Sequence, residues 1–535
     1  MEAFRRAVGQ PFHRTRFRRW CVSFVLVAGL ICSWLLATPI FAAPDEPAHL
    51  IHAIGVAHGQ WLGHEYHGQR GLPPLPPTFR KATLVVTAPA AYHDDGGILC
   101  VAFRPNVSAR CLALDPLKGN RPAFTYTARY FPAYYLGVGL VSRFTRPGAR
   151  QVLLMRLVGA LLSAALIASA IVTMLEVMPS LLALTGLAIA LTPMAFFVAG
   201  TINPNGIEIA AAIGVWVHGA AIAFGGLRRI GPRLITRLGV AATILAVSRP
   251  TSLLWVAIIG ILLLFCIGWR NLKDVARRRS AQVWLAVLGV AVALQLGWAA
   301  WAHAFDPSNV FNAPGVPASK SQFLRTTIGM SNGLLHQMIG VFGWVDTQAP
   351  SITYIGWLIA LGALAGIAVL VARRRFLWTI GATTVVVAAI PIVVQAAYVH
   401  KIGYAWEGRY TLPVAVGIPI VAGLGIGLAR LPVIGTRRFA TLTLSVLVIA
   451  QFFAFAQALR RYTVGANGTI WYPWNAQWHA PVPTLLLLIA FAGLLVAGTV
   501  LLLRATNGTS PRTTLADDEL QEPRAVDEPA AVTAT

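Results

Sequence analysis

The chain has 535 residues, of which 56% are hydrophobic and only 12% are charged, and its mean hydropathy is +0.66. A soluble domain of this length needs more charge to solvate its surface, so the composition excludes the soluble classes and indicates a membrane protein. The net charge of +24 does not indicate nucleic-acid binding, because the basic residues form short clusters between apolar runs. We therefore expect membrane lipids, and no nucleic acid, among the partners.

At about 20 apolar residues per crossing, the sequence predicts an all-α polytopic protein with about twelve transmembrane helices. We interpret the first run, 20–43, as a retained span, because it is longer than the apolar core of a signal peptide and Pro44 follows its small residues directly. The run 238–269 is broken at Ser248-Arg249-Pro250 and is interpreted as two helices. The other predicted spans are 150–176, 181–201, 207–227, 280–302, 351–372, 376–399, 411–429, 439–459 and 483–504.

Five basic clusters fall on one side of these spans, at 5–19, 228–237, 270–279, 373–375 and 430–438. The positive-inside rule makes that side cytoplasmic, so we expect a plasma-membrane protein with both termini in the cytoplasm. The predicted organisation is a basic cytoplasmic N-terminus (1–19), a transmembrane domain (20–504) and a polar, disordered cytoplasmic tail (505–535).

A long extracytoplasmic loop, 44–149, follows the first span and is too long to be a simple connection. Its aromatic stretch from Tyr130 to Phe144 predicts a short interfacial helix. Cys100 and Cys111 share this loop, on the side where oxidation is permitted, and we prefer a disulfide between them to two free thiols.

The most distinctive polar motif is Pro44-Asp45-Glu46, which directly follows the first span. The flanking prolines stiffen the backbone and orient both carboxylates, and His49 follows at helical spacing. A half-buried carboxylate can act as a general base on a sugar hydroxyl or help to bind a divalent cation. The alternative is an ordinary helix N-cap, which spacing alone favours.

Two further outer turns carry polar residues. Asn203-Pro204-Asn205 is a turn signal with Glu208 one turn later, and Arg249 precedes the proline that breaks the 238–269 run. An arginine near membrane depth needs an anionic partner, and a phosphate suits its planar guanidinium group. The alternative is an arginine that binds the carbonyl groups freed by the helix break.

The third outer motif is Glu407-Gly408-Arg409-Tyr410, with Lys401 shortly before it. Basic residues on the outer face run against the positive-inside rule and therefore need a reason. Binding of an anionic lipid phosphate is the reason that we prefer, and an interfacial anchor is the alternative.

This ordered set of motifs resembles the GT-C glycosyltransferase superfamily, and more narrowly a bacterial multi-pass family of unknown function within it. The resemblance covers residues 20 to about 500 and includes Arg156 inside the second span. It implies a GT-C-like fold and transfer of a sugar from a polyprenyl-phosphate donor, at the outer leaflet, to a cell-envelope glycan or lipid acceptor.

The resemblance also implies roles for individual residues. Asp45, with Glu46 beside it, matches the superfamily's first-loop acid, which is generally the base or a metal-linked residue. The donor phosphate would be bound by Arg249, Arg409, Lys401 and Arg156, and the substrate would contact His49, Asn203, Asn205, Glu407 and Tyr410. Asn205 stands where related enzymes often have Asp, which weakens the case for a second catalytic acid and for a bound Mg²⁺ or Mn²⁺ ion.

Two other functions remain open from the sequence. A transporter or flippase of a lipid-linked sugar would place polar residues along the middle of several spans, whereas here they gather at the outer edge, apart from Gln295, Gln395 and Gln451. A non-catalytic glycan-binding or assembly protein is the third possibility.

Overall fold

A computed structural model shows a helical chain described from residue 2 to residue 505. Outside the described residues lie Met1, 69–71, 73–74, 76–79, 81–82, 93–96, 98, 115–117, 225–229, 265–266, 268, 307–318, 403, 430 and 506–535; only the backbone is described at 2–14, 269–271, 320, 398, 400–402 and 433. The predicted tail, 505–535, therefore lies almost wholly outside the described residues.

In the described part, nine helices are long and apolar enough to cross a membrane, or ten if one bent pair counts as a single span. This confirms the all-α polytopic class, with fewer full spans than the twelve expected. Two of the missing spans lie in the run 238–269, which forms helices of 17 and 13 residues that are each shorter than a full crossing, and the bent pair at 181–199 accounts for the third in the count of nine.

The helices follow one another along the chain with short connections. They are α1 (Glu2–Ala37), α2 (Glu46–Ala57), α3 (Pro132–Gly139), α4 (Ala149–Val177), α5 (Leu181–Ala190), α6 (Pro193–Ala199), α7 (Pro204–Phe224), α8 (Pro232–Ser248), α9 (Ser252–Leu264), α10 (Trp269–Ala276), α11 (Arg279–Trp301), α12 (Lys320–Gly340), α13 (Ser351–Val371), α14 (Arg374–Ile402), α15 (Gly408–Ala415), α16 (Gly417–Gly427), α17 (Val433–Val464) and α18 (Thr484–Ala505).

The first span ends at Ala37, six residues before the predicted boundary at Ala43. Thr38 precedes Pro39, and a residue before proline is driven out of the helical conformation. Residues 38–45 therefore form buried turns at the end of α1. The last of these turns contains Pro44 and Asp45, and Glu46 is the first residue of α2.

The predicted span 181–201 is broken into α5 and α6, which meet at a bend of 61°. Pro193 occupies the first turn of α6, and the Thr192 hydroxyl accepts a hydrogen bond from the Ala195 N–H as its N-cap. Trp357 and Gln451 donate side-chain hydrogen bonds to the carbonyl groups of Ile189 and Leu191. Carbonyl groups freed by the break are thus satisfied inside the protein, as a nonpolar environment requires.

The loop after α1 contains a small antiparallel sheet that the sequence did not predict. Its strands are β1 (His64–Glu65), β2 (Leu84–Pro89) and β3 (Asn120–Thr125), in the order β1-β2-β3, with Val85 opposite Phe124. The sheet packs on α2, where Val86 meets Gly55 so closely that a β-carbon there would lie 2.5 Å from the valine. The predicted interfacial stretch 130–144 is helical in part, as α3, which also packs on α2. A second, two-stranded sheet pairs β4 (Val341–Phe342) with β5 (Thr347–Gln348).

One end of the bundle is fixed by a carboxylate shared between two arginines. Glu176, in the last turn of α4, pairs with Arg16 of α1 and Arg237 of α8, each at 3.0 Å. The first loop, the turn after α6 and the start of α15 lie at the opposite end. The motifs singled out in the sequence meet there.

Candidate functional site

Asp45 stands at the start of α2 in an unusual backbone conformation. Its φ of 63° and ψ of 0° place it in the left-handed region, which non-glycine residues rarely adopt and which Asp and Asn tolerate best. Such conformations are concentrated at functional sites, where the surrounding structure holds them. Pro44 before it and Pro47 in the first turn of α2 restrict the chain on both sides.

The Asp45 side chain does not cap α2, so the N-cap interpretation is wrong for this carboxylate. Its Oδ1 accepts a hydrogen bond of 2.6 Å from the Tyr126 hydroxyl, and its Oδ2 accepts one of 2.7 Å from Arg409 Nη2. The side chain remains 28% exposed, whereas Arg409 is only 2% exposed. The carboxylate is therefore partly exposed, and the arginine that it contacts is buried beneath it.

Arg409 lies between two carboxylates. Its Nη1 is 2.5 Å from Glu407 Oε2, so Asp45 and Glu407 share one guanidinium group. Among the described residues Arg409 Nε has no hydrogen-bond acceptor, although it is buried. A buried donor without a partner costs about 1–3 kcal/mol, which a ligand oxygen would recover.

Arg249 completes the basic side of this cluster. Its Nη1 is 3.4 Å from Glu208 Oε2, and its guanidinium lies 4.6 Å from the centre of the Tyr410 ring and 5.8 Å from that of Tyr130. The Arg409 guanidinium lies 5.1 Å from the same Tyr410 ring. Two buried guanidinium groups therefore flank one tyrosine, close to Asp45.

The charges of the cluster shift the proton affinities of its carboxylates in opposite directions. Burial raises the pKa of Asp45, but Arg409, the hydrogen bond from Tyr126 and the charge of Arg249 together hold that pKa below its usual value. Burial raises the pKa of Glu407 above its usual value in spite of Arg409, and the Asp45 charge adds to that rise. Asp45 is therefore the ionised carboxylate of the pair, and Glu407 is the one that takes up a proton first.

Glu46 points away from this cluster and has a different environment. It is completely buried, and its oxygens accept hydrogen bonds of 2.6 and 2.5 Å from Arg156 and 3.0 Å from the N–H groups of Phe41 and Ile202. Arg156 also donates to the carbonyl groups at the end of α1. The expected catalytic role of Glu46 and the phosphate-binding role of Arg156 are not supported by this geometry, because each neutralises the other with no exposed surface.

His49, Asn203 and Asn205 are buried, unlike the partly exposed carboxylate of Asp45. His49 Nδ1 is 2.8 Å from the Tyr135 hydroxyl, and burial lowers the pKa of His49 to about 3, so the ring is neutral. Asn203 donates to the Pro44 carbonyl at 3.2 Å, and Asn205 donates to Glu208 at 3.0 Å. These side chains position Asp45 and Glu208, and they are buried from any substrate.

Lys401 and the two loop cysteines are the remaining predicted positions. The side chain of Lys401 is outside the described residues. Cys100 and Cys111 form a disulfide with an S–S distance of 2.06 Å. It closes a loop whose carbonyl groups, at Val101, Arg104 and Val107, are bound by the buried guanidinium of Arg461. The pair therefore stabilises the first loop.

The cluster does not offer the donor set of a divalent cation. Both oxygens of Asp45 are occupied by Tyr126 and Arg409, and a guanidinium separates Asp45 from Glu407. In the part of the chain that the structure describes, three or more His, Cys, Asp or Glu side chains nowhere meet in a metal-binding group.

Sequence reasoning missed Tyr126 and Tyr130. Both follow β3, whose pairing with β2 carries Tyr126 back to Asp45, 81 residues away in the chain. Aromatic residues are common at membrane interfaces, so their presence in this segment did not indicate a contact with the charged cluster. Two cavities of the described bundle, of about 410 and 250 Å³, have no residue of the cluster in their linings, and the cluster is filled by its own ion pairs.

The fold and the site together define a helical polytopic membrane protein with a buried cluster of arginines and carboxylates at one end of its bundle. The chain belongs to the family described as Predicted membrane protein (DUF2142), whose profile matches residues 28–418 and so includes the whole cluster. Among solved structures it is similar to ArnT from Cupriavidus metallidurans bound to undecaprenyl phosphate, with 14% sequence identity, a TM-score of 0.39, and coverage of 91% of this chain and 78% of that chain. No curated protein matches the sequence significantly.

Proposed function

We propose that this protein is a membrane glycosyltransferase of the GT-C type, which moves a sugar from a polyprenyl-phosphate donor to a cell-envelope glycan or lipid acceptor. The observation that supports this most is the placement of Asp45 against Arg409 while Arg409 and Arg249 flank Tyr410. This arrangement provides a base and a phosphate site within one cluster. We place it on the extracytoplasmic face of the plasma membrane, following the distribution of basic loops.

The donor phosphate is bound by the two guanidinium groups. Planar guanidinium groups bind phosphate oxygens in pairs, and such bonds are stronger where water is excluded. Arg249 is 9% exposed and Arg409 is 2% exposed, so both meet that condition. The free Nε of Arg409 supplies a further donor.

Donor binding prepares Asp45 for its role. In the structure Asp45 and Glu407 occupy Arg409, so the phosphate must displace at least one of them. Glu407 has the raised pKa, so it is the carboxylate that takes up a proton more readily and then releases Arg409. When phosphate occupies Arg409, the pKa of Asp45 loses its strongest lowering influence and rises, which makes the carboxylate a better base.

The reaction is a displacement at the anomeric carbon. The acceptor oxygen forms a bond to that carbon, its proton passes to Asp45, and the carbon–oxygen bond to the polyprenyl phosphate breaks. The electron pair leaves with the phosphate, whose added charge Arg249 and Arg409 stabilise. Attack opposite the leaving group inverts the anomeric configuration. Tyr126 and Arg409 keep Asp45 oriented before the donor arrives.

The experiment is an assay of purified protein in liposomes with a labelled polyprenyl-phosphate sugar. Wild type should transfer or hydrolyse the sugar, and Asp45→Asn should lower the rate about 100-fold or more, as loss of a general base does. Asn suits the test because it tolerates the left-handed backbone of residue 45. The control is Asp346→Asn, since Asp346 is also paired with an arginine, Arg461, outside the cluster.

Other outcomes would contradict the proposal. Transbilayer movement of the labelled lipid without transfer would indicate the flippase. Equal transfer rates in wild type and Asp45→Asn would show that Asp45 is not the general base.

A further inference from the structure

One cavity of the described bundle has no residue of the charged cluster in its lining. It has a volume of about 410 Å³ and runs between α1, α5, α17 and α18, with an almost wholly apolar lining. Its lining on α1 extends from Thr15 to Leu30, which at ~1.5 Å per residue is about 22 Å. Because Asp45 follows the other end of α1, this groove opens at the opposite side of the membrane.

The groove is long enough to cross the hydrocarbon of one leaflet of a bilayer and part of its headgroup region. A hydrocarbon core of ~30 Å gives each leaflet about half that depth, so the groove reaches from the headgroup region to the midplane. An empty apolar groove beside lipid forfeits van der Waals contacts along its walls. An acyl chain is the occupant whose shape and polarity fit these walls.

The mouth of the groove carries two adjacent cations. Arg18 and Arg19 both line the cavity and are exposed, and among the described residues neither has an ion-pair partner. The neighbouring Arg16, by contrast, is paired with Glu176. Two unpaired guanidinium groups at headgroup depth attract an anionic lipid phosphate.

We propose that this groove, defined by Arg18, Arg19, Leu26, Leu447 and Gly498, is a binding site for one anionic phospholipid. One acyl chain lies between α1, α17 and α18, and the headgroup phosphate is bound by Arg18 and Arg19. The site is separate from the cluster around Asp45 and does not depend on the proposed reaction. The acyl chain contacts apolar side chains of α1 and α18, including Leu26 and Leu495, along the groove.

Glycine residues of α18 offer a matched pair of variants. A β-carbon at Gly498, which lines the groove, would meet no heavy atom within 4 Å, so Gly498→Phe places a ring in the groove without a clash of its β-carbon. Gly493, on the same helix but not lining the groove, also has open space around its β-carbon position. Gly493→Phe is therefore the control.

The arginines have a matched pair as well. Arg18→Gln with Arg19→Gln removes both cations at the mouth. Arg437→Gln with Arg438→Gln removes an adjacent pair of exposed arginines from the start of α17, outside the groove.

The test is native mass spectrometry of the full chain released from nanodiscs that contain equimolar phosphatidylglycerol and phosphatidylethanolamine. Wild type should retain one phosphatidylglycerol, and Gly498→Phe should lose it while Gly493→Phe keeps it. The Arg18/Arg19 variant should lose its preference for phosphatidylglycerol by about 10-fold, which corresponds to ~1.4 kcal/mol, and the Arg437/Arg438 variant should keep it.

The proposal is overturned if wild type retains no lipid or shows no preference between the two lipids. It is also overturned if the two glycine variants behave alike, or if added polyprenyl phosphate displaces the phospholipid from the groove.

Discussion

At the scale of single residues, the Asp-Glu motif divides between two tasks. Asp45 faces the arginine of α15, whereas Glu46 faces the arginine of α4, because the left-handed backbone at residue 45 turns the two side chains apart. The sequence predicted that this motif matters. The sequence could not show which carboxylate has which task. Asp45 and Glu46 carry the same functional group, and only the backbone conformation at residue 45 directs them to different arginines.

The buried pair of Glu46 and Arg156 leads to a prediction about stability. Glu46→Gln leaves Arg156 as an uncompensated buried charge, which typically costs about 3–5 kcal/mol. Thermal unfolding of the purified protein should show a large loss. Glu176→Gln is the control, because its arginine partners Arg16 and Arg237 are 38% and 24% exposed and such pairs contribute about 1 kcal/mol or less.

A stable Glu46→Gln protein that lacks activity would contradict this assignment. It would return Glu46 to the catalytic role that the sequence suggested.

The opposed pKa shifts of Asp45 and Glu407 predict two separate pH windows. The lowered pKa of Asp45 contributes stability above its unfolded value of about 3.9, and that contribution is lost as pH falls through the folded pKa. The raised pKa of Glu407 acts in the other direction. The folded state binds its proton more tightly, so stability falls as pH rises from about 4.3 through the folded pKa.

Glu407→Gln should therefore gain stability relative to wild type as pH rises from roughly 4 to 7. The loss of stability below about pH 4, which comes from Asp45, should be the same in both proteins. The measurement is the unfolding temperature of both proteins across that range. Parallel curves for the two proteins would show that Glu407 has an ordinary pKa. His49 adds the same further pH dependence to both proteins. Its pKa is about 3 in the folded state and about 6.5 in the unfolded chain, so stability falls as pH drops from about 6.5 towards 3.

At the scale of elements, the crossing of α12 and α15 sets the position of Arg409. A β-carbon at Gly408 would lie 2.1 Å from the Leu334 carbonyl oxygen and 3.0 Å from Met338 N, and the Gly408 N–H donates to Gln337 at 2.7 Å. Backbone atoms cannot move aside cheaply, so only glycine allows this approach. The next residue along the chain is Arg409.

Gly408→Ala should therefore lower the unfolding temperature and reduce transfer strongly, because it pushes α12 away and displaces Arg409. Gly329→Ala is the control on α12, where a β-carbon would meet nothing within 4 Å. That variant should be neutral or stabilised by up to about 1 kcal/mol, since alanine is the better helix former. Equal effects of the two substitutions on transfer would contradict the role of the crossing.

The elements were predictable to different degrees. Long apolar runs predicted most spans within a few residues, because the bilayer sets their length. The breaks at Thr192-Pro193 and Arg249-Pro250 were harder to interpret, since proline marks a break without giving its angle. The sheet of the first loop escaped prediction because β2 and β3 are short and pair across 30 intervening residues, 90–119.

At the scale of the whole molecule, the cluster draws on segments that are far apart in sequence. Asp45 and Arg409 are separated by 364 residues, and Arg249 and Glu208 by 41. The sequence predicted that Asp45, Arg249, Glu407, Arg409 and Tyr410 belong to one site through the resemblance of their ordered motifs. It did not predict that Arg156, Asn203 and Asn205 act as supports, because a buried partner is visible only in three dimensions.

In the proposed mechanism, Arg249 and Arg409 form a phosphate site for which Asp45 competes. The most direct measurement is the affinity of the purified protein for undecaprenyl phosphate in wild type and three variants, with the exposed loop residue Arg110→Gln as control. Arg249→Gln and Arg409→Gln should each weaken binding about 10-fold or more, because each removes charge-assisted hydrogen bonds. Asp45→Asn should bind as tightly as wild type or more tightly, because it releases Arg409. Arginine variants that bind like wild type, or an Asp45→Asn protein that binds more weakly, would contradict the account.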